Sequence, residues 1–148
     1  MKALFFALAL SCGLAHAETI DLLPAWCGAG VWCPTVPNDA GDQILLYGST
    51  NYQDVGVTVR LPDGSTHNFM SQNFRGYSVI YKGTCPRRPE VGYMTLSLNG
   101  NPVPMISSDG TQASITAIFS CTSAVGGSGR GAGVHQLWTL VSGTLVTP

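Results

Sequence analysis

From Gln43 onward the chain consists of short segments rich in apolar residues, separated by turn residues, and in several segments apolar and polar positions alternate with a period of two. The clearest example is Gln112–Cys121, where every second position is apolar or cysteine: Ala113, Ile115, Ala117, Phe119 and Cys121. Because successive side chains of a strand point to opposite faces, this alternation predicts strands with one buried face.

The alternation and the turn residues between the segments together predict eight strands. They are Gln43–Tyr47, Gly56–Leu61, Thr66–Ser71, Tyr77–Gly83, Gly92–Leu98, Val103–Ser107, Gln112–Cys121 and Val134–Val146. The last is long enough to be divided into two near Ser142-Gly143. Many short strands at this spacing, with turn signals between them, are typical of an all-β domain.

Three turns between these segments have recognisable sequences. In Leu61-Pro62-Asp63-Gly64, proline suits the first turn position and glycine suits the left-handed residue that follows. In Leu98-Asn99-Gly100-Asn101, the Asn-Gly pair tolerates positive φ at both central positions. Asp109-Gly110 is expected to form the third turn. Hairpins of this kind indicate antiparallel pairing of strands that are neighbours in the chain.

The fold expected from these elements is an antiparallel β-sandwich of seven to nine strands. Residues 18–42 interrupt the pattern with several glycines and with Pro24, Pro34 and Pro37. Proline cannot donate to a strand ladder, so we expect an irregular N-terminal segment that is held in place by a disulfide.

The first 17 residues have the features of a secretory signal peptide. Lys2 supplies a positive charge, an apolar run covers residues 3–14, and Ala15-His16-Ala17 is a small-residue cleavage site before Glu18. The run is too short to span a bilayer as a helix. We therefore expect a secreted or periplasmic protein with a single β domain over residues 18–148.

Lipidation of Cys12 is the alternative interpretation of this segment. The residue three positions before it is Ala9 rather than the leucine that is usual in a bacterial lipobox. Lipidation there would also cut the apolar run short. Cleavage after Ala17 is the simpler prediction, and the sequence leaves the lipidation of Cys12 open.

Charge limits the classes of partner. Removal of Lys2 with the signal peptide lowers the seven basic residues to six, against eight acidic ones, for a formal net charge of −2. The chain has no block of basic residues, which argues against nucleic acid because phosphate binding needs clustered cations. No later segment is long and apolar enough to predict a transmembrane segment. No asparagine begins an Asn-x-Ser/Thr sequon, which fits a bacterial source.

Four cysteines follow the cleavage site, and an even number in an exported chain indicates disulfides. Cys85 and Cys121 both fall on apolar faces, so we expect them to pair and to contribute about 4 kcal/mol. Cys27 and Cys33 would then close a shorter loop, which contributes about 2.4 kcal/mol. Crossed pairings stay open, because four cysteines allow three connectivities. The spacing suits neither a redox pair nor a zinc site, so no metal and no cofactor are predicted.

The segment Ala25–Pro34 places Trp26 and Trp32 directly before two of these cysteines. A short disulfide loop can present two aromatic rings to a partner, which makes both residues candidate binding residues. The competing hypothesis is that both rings pack over one end of the fold. We expect packing, because apolar area is scarce in a small domain.

Arg87 and Arg88 stand between two prolines, directly after Cys85. The prolines stiffen the segment, and a disulfide at Cys85 would anchor its base. The segment is therefore the best candidate for a contact loop, a rigid cationic tip whose guanidinium groups can pair with a carboxylate or phosphate group of a partner. The competing hypothesis is a solvated loop without a partner, which is the usual role of a single charged loop and the one we favour.

Few residues suit catalysis. His135 begins the last predicted strand, and with Glu90 it forms the alternative hypothesis of a small secreted hydrolase, nuclease-like or glycosidase-like. His67 lies opposite Val59 if the first turn forms, which indicates a structural histidine at a sheet edge. No nucleophile motif accompanies either histidine.

The sequence thus favours non-catalytic recognition or assembly outside the cytoplasm, with a protein or glycan partner. An adhesin-like module, a secreted inhibitor and a subunit of a surface appendage or virion all fit, because the chain has few charges and many Ser, Thr, Tyr and Asn residues. A self-assembling subunit would need an unpaired edge strand, for which Thr144–Pro148 is the candidate.

Overall fold

The computed structural model describes residues 17–28, 31–48, 55–71, 81–126 and 133–148. Within these ranges it contains eleven strands and no helix. The strands are β1 (Glu18–Leu22), β2 (Ala25–Gly28), β3 (Val31–Pro34), β4 (Gln43–Gly48), β5 (Val55–Arg60), β6 (Thr66–Ser71), β7 (Tyr81–Gly83), β8 (Gly92–Leu96), β9 (Val103–Ser107), β10 (Gln112–Gly126) and β11 (Gly133–Thr147). The predicted signal peptide up to His16, with Cys12, and the predicted strand residues 77–80 lie outside the described ranges.

The all-β prediction is confirmed, but the strands form one curled half-barrel instead of the two stacked sheets of a sandwich. The main path of the sheet is β1-β11-β10-β9-β6-β5-β4-β3, and all of its strand pairs are antiparallel. β8 pairs with β10, β7 with β8, and β2 with β11. β10 and β11 have 15 residues each, so their two halves pair with different neighbours and the sheet wraps around one core.

An irregularity in the ladder bends the two long strands. The register between β10 and β11 shifts between Ile118 and Phe119, because Ile118 lies opposite Ser142 and Phe119 lies opposite Leu140. Val141 is therefore the extra residue, and a bulge of this kind increases the local bend and twist. The predicted division near Ser142-Gly143 is accordingly wrong as a strand break, since β11 continues through the bulge.

The N-terminal segment is held by the Cys27–Cys33 disulfide, as predicted, but its first part forms the strands β1, β2 and β3 instead of irregular structure. β1 and β2 pair with β11 on the side opposite β10, and β3 pairs with β4. Each of these strands has only four or five residues. Short peripheral strands tolerate proline, and Pro24 lies between β1 and β2 while Pro34 ends β3.

The predicted turns are confirmed. The Leu61 amide donates to the Ser65 carbonyl at 2.9 Å and Gly64 has a φ of 86°. Asn99 and Gly100 have φ values of 52° and 83°, as the Asn-Gly turn requires. The first turn fixes the register of its hairpin and places β5 against β6 as the sequence predicted. The Asn-Gly turn closes only a single bridge between Leu98 and Asn101, because β8 pairs with β7 and β10 while β9 pairs with β6 and β10, so the hairpin predicted there is wrong beyond the turn.

The core fills the concave side of the curled sheet. Its largest fully buried side chains come from five strands: Trp138, Phe119, Ile44, Leu46, Leu96, Met105, Ile115, Leu140 and Leu145. They occupy inward positions of the alternating pattern, so burial follows directly from the period of two. No helix of the described ranges is suited to crossing a membrane.

The segment Thr144–Pro148 is not the free edge that the sequence suggested. Thr144 lies between Asp21 of β1 and Thr116 of β10, and pairing with β1 continues to Thr147. The end of β11 is therefore interior to the sheet. The N-terminal strand, whose pairing the sequence did not reveal, covers the edge that was expected to be free.

Candidate functional site

The disulfide between Cys27 and Cys33 joins two strands that do not pair with each other. β2 is hydrogen-bonded to β11 and β3 to β4, yet the Cα atoms of the two cysteines are 4.4 Å apart. Both cysteines are buried. A covalent bond therefore connects the curled sheet along a seam at which the described strands form no ladder.

Trp26 and Trp32 directly precede these cysteines, and both are exposed, at 72% and 60% respectively. Because Cys27 and Cys33 point into the core, alternation turns both indole rings outward. The expectation that the rings pack over one end of the fold is wrong for this reason. Tryptophan is mostly buried in monomeric proteins and is enriched in binding hot spots, so two exposed indoles on linked strands form a candidate contact surface.

Trp32 also begins a row of outward side chains that crosses five strands. In the ladder register, Trp32 lies opposite Tyr47, followed by Gly56, Met70 and Ile106. Met70 is 42% exposed and Ile106 is 36% exposed. We call Trp32, Tyr47, Met70 and Ile106 the outer row. Only Trp32 was a candidate from the sequence, because the row depends on β9 lying beside β6.

The loop that carries the two arginines is fastened to β10. Its base is the disulfide between Cys85 and Cys121. The Ser123 amide donates to the Pro86 carbonyl at 2.6 Å, and the Arg88 amide donates to the Ser123 carbonyl at 2.9 Å. The Ser123 hydroxyl donates to the Cys85 carbonyl at 2.9 Å. A covalent bond and three hydrogen bonds therefore hold the backbone of this loop in one position.

Arg87 and Arg88 are both exposed on this fixed loop. They line a shallow cavity of about 250 Å³, whose other walls include Val125 and Val134 at the end of the β10–β11 hairpin. Guanidinium groups bind carboxylate and phosphate oxygens through paired hydrogen bonds. The arrangement is that of a cationic surface with an apolar flank.

The structure does not bring His135 and Glu90 together as a catalytic pair. His135 lies on β11 opposite Ala124, and both His135 and Glu90 are exposed. Glu90 is held through its backbone carbonyl, which accepts a hydrogen bond from the Thr122 hydroxyl at 2.7 Å. Among the residues that the structure describes, no hydrogen bond joins His135 to Glu90 or to an aspartate.

His67 lines a different cavity, of about 220 Å³, together with Glu18 and Asp109. The Ser107 hydroxyl donates a hydrogen bond to the Asp109 carboxylate and lowers its pKa to about 2, with help from the Thr111 amide. Asp109 is therefore an ionised turn-capping group, and it is a poor general base near neutral pH. No cluster of His, Cys, Asp and Glu in the described ranges has the arrangement of a metal site.

Tyr81 is buried, and its hydroxyl has no hydrogen-bond partner among the described residues. Burial raises the pKa of the phenol. The folded protein then keeps a proton that the unfolded chain loses near pH 10, so this group lowers stability above about pH 10 and has no effect below it. We expect Tyr81→Phe to raise the free energy of unfolding by about 1 kcal/mol at neutral pH, because an unpaired buried hydroxyl is removed.

Urea unfolding of the wild type and Tyr81→Phe at neutral and alkaline pH would measure both effects. The exposed Tyr93 provides the matched control, since Tyr93→Phe should change neither quantity. A loss of stability in Tyr81→Phe at neutral pH would show that the hydroxyl has a stabilising partner.

Comparisons of the chain with protein-family models, with curated proteins and with solved structures give no match. The functional conclusion therefore depends on the geometry of the described surfaces.

Proposed function

We propose that this protein is a non-catalytic recognition module that works outside the cytoplasm, in the periplasm or after secretion, on a protein or glycan partner. The observation that carries this proposal is the exposure of Trp26 and Trp32 beside a buried disulfide. An indole ring buries a large area at low entropic cost on binding. Because the disulfide already orders the backbone, less free energy is lost in ordering it when the partner binds.

The two disulfides support the proposed location outside the cytoplasm. They are formed in the folded chain, and disulfides persist where the surroundings are oxidising. β1 begins at Glu18, the first residue after the predicted cleavage site, so cleavage there would leave the described strands complete. These two observations support the proposal of export.

The edge strands of the sheet favour a recognition function over assembly by strand addition. β1 pairs with β11 on one side and has no strand partner on its other side among the described residues. This short strand carries Glu18 and Asp21, and β3, at the other end of the sheet path, has four residues and ends at Pro34. Short edge strands with charged residues or proline disfavour the addition of a second chain. An adhesin-like module or a secreted inhibitor therefore fits better than a subunit of a filament or virion.

The loop with Arg87 and Arg88 supports a second contact with the same partner or a different one. Both guanidinium groups are presented by a backbone that is fixed to β10, so little ordering is needed on binding. Their ligand would be an anionic group, such as a carboxylate or a phosphate. Whether this loop contributes is tested separately from the tryptophans.

Capture from cell-envelope and culture-supernatant extracts by the immobilised, oxidised protein tests the proposal. We expect wild-type protein to retain a defined protein or glycan, and Trp26→Ala/Trp32→Ala to lower its recovery by about tenfold or more. Arg87→Ala/Arg88→Ala should lower recovery if the cationic loop is part of the contact. Mass spectrometry and monosaccharide analysis would identify what is retained.

Tyr93→Ala is the matched control, because Tyr93 is an exposed aromatic residue on β8, away from the disulfide seam. Thermal unfolding should confirm that all variants remain folded. Equal recovery by the wild type and the tryptophan variant would contradict the proposed role of the indole rings. Equal recovery by the arginine variant would remove the cationic loop from the contact surface.

A further inference from the structure

The outer row has a geometry that points to one class of ligand. Tyr47 lies over the backbone of Gly56, where an added Cβ would be 2.2 Å from Tyr47 Cζ and 2.6 Å from its hydroxyl oxygen. The Tyr47 ring therefore lies against the sheet and turns one face outward. Trp32 is adjacent, with 5.9 Å between the ring centroids and 47° between the ring planes. The Tyr47 hydroxyl donates to Met70 Sδ at 3.3 Å, which connects the rings to the rest of the row.

The face around the outer row is almost without charge. The five strands that carry it contain one formally charged residue, Arg60, at the end of β5. Thr58 and Asn68 lie beside the row, and the Thr58 hydroxyl donates to Asn68 Oδ1 at 2.6 Å. That bond leaves the Asn68 side-chain nitrogen as a donor for a ligand. The surface thus combines aromatic faces with neutral hydrogen-bonding groups.

We propose that the outer row binds a neutral polysaccharide chain, an inference that rests on the proposed recognition function and specifies its ligand. The negative face of an aromatic ring attracts the C–H groups that a sugar ring presents on its faces. Sugar hydroxyls both donate and accept, so they can pair with Asn68 in more than one orientation. Rotatable glycosidic bonds let successive sugars follow two rings that are inclined to each other.

A second copy of the chain fits this surface less well. The row spans five strands, so four inter-strand spacings give it a length of about 19 Å. Its width is about 7 Å, the distance between residues i and i+2 on one strand. The resulting footprint is on the order of 130 Å², whereas a stable protein interface buries about 800 Å² on each partner. The row is long and narrow, which suits a linear ligand.

An extended peptide is also disfavoured. β4, β5 and β6 are each paired on both sides, so their backbone groups are already used. A peptide lying across the face of these strands could not gain the main-chain hydrogen bonds of strand addition. Its own amide and carbonyl groups would lie unpaired over apolar side chains, which costs free energy.

Affinity electrophoresis of the oxidised protein tests this inference, in native gels that contain hydroxyethylcellulose, glucomannan, xylan or dextran. We expect retardation by at least one of these neutral polysaccharides, with little dependence on salt. Trp32→Ala and Tyr47→Ala should each weaken binding by about tenfold, which is the range of hot-spot aromatic residues. Tyr93→Ala is the aromatic control and should bind like the wild type.

Four results would overturn the inference. The first is the absence of retardation in every neutral gel, and equal retardation of Trp32→Ala and the wild type has the same meaning. Another is retardation only in a parallel gel that contains the anionic polysaccharide alginate, lost in Arg87→Ala/Arg88→Ala, which would assign binding to the cationic loop. The last is a dimer in sedimentation that Trp32→Ala abolishes, which would assign the row to self-association. If extract capture still requires the tryptophans while no neutral polysaccharide binds, the polysaccharide inference fails and the recognition function stands.

Discussion

Replacement of Trp138 by alanine is expected to lower the free energy of unfolding by about 3–5 kcal/mol. Trp138 is 1% exposed, and its ring centroid lies 5.5 Å from that of Tyr81 and 5.6 Å from that of Phe119, with edge-to-face packing in both contacts. The substitution removes both contacts and leaves a cavity in the core beside the Tyr81 and Phe119 rings. Urea unfolding followed by intrinsic fluorescence and circular dichroism would measure the loss.

Trp26→Ala is the matched control for this experiment, since it removes the same side chain from an exposed position. We expect it to change the free energy of unfolding by about 0.5 kcal/mol or less. The two variants separate the tryptophan that stabilises the fold from one that is available for binding. Equal losses in the two variants would contradict the assignment of Trp138 to the core.

Removal of the Cys85–Cys121 disulfide in Cys85→Ala/Cys121→Ala is expected to cost about 4 kcal/mol. The bond closes a loop between residues that are 36 positions apart, so its loss returns much conformational freedom to the unfolded chain. The comparison variant is Cys27→Ala/Cys33→Ala, whose cysteines are six positions apart and whose loss is expected to cost about 2.4 kcal/mol. Urea unfolding of both variants and the wild type, all without reductant, would measure the difference.

The two disulfides should also differ in what they do to the binding surfaces. Loss of Cys27–Cys33 opens the seam between β2 and β3 and should weaken binding through Trp26 and Trp32. The Cys85–Cys121 bond is at the base of the arginine loop and does not hold Trp26 or Trp32, so binding through the tryptophans should persist in the folded fraction after its loss. The hydrogen bonds from that loop to β10 would remain. A smaller loss of stability from the long-range disulfide than from the short one would contradict the chain-entropy argument.

Local features of the fold could be predicted from the sequence because they depend on neighbouring residues. The Pro-Asp-Gly and Asn-Gly turns specify their own backbone angles, and the first also fixes the register of the β5–β6 hairpin. Strand parity placed Cys121 on an apolar face, and the observed pairing with Cys85 agrees with that inference. The period of two identified the buried side chains of β10 from Ile115 to Cys121, and the first turn placed Val57 opposite Phe69 on the buried face.

The N-terminal strands could not be predicted in this way. Pro24, Pro34 and the glycines near them indicate irregular structure when the segment is considered alone. β1 and β2 are strands because β11 offers them a long edge, and that edge exists only after β10 and β11 have paired. Tertiary context therefore overrides local preference here.

The candidate binding surface was also predictable only in part from the sequence. The sequence by itself determined an all-β domain with two disulfides and identified Trp26, Trp32, Arg87 and Arg88 as candidate contacts, since alternation, turn residues and cysteine positions are local properties. The tertiary structure decided that the sheet is a half-barrel, that both indole rings face outward, and that Tyr47, Met70 and Ile106 continue the row from Trp32. The physical reason is that alternation along a strand specifies which of its side chains share a face of the sheet. The neighbours of that strand depend on how the whole chain packs.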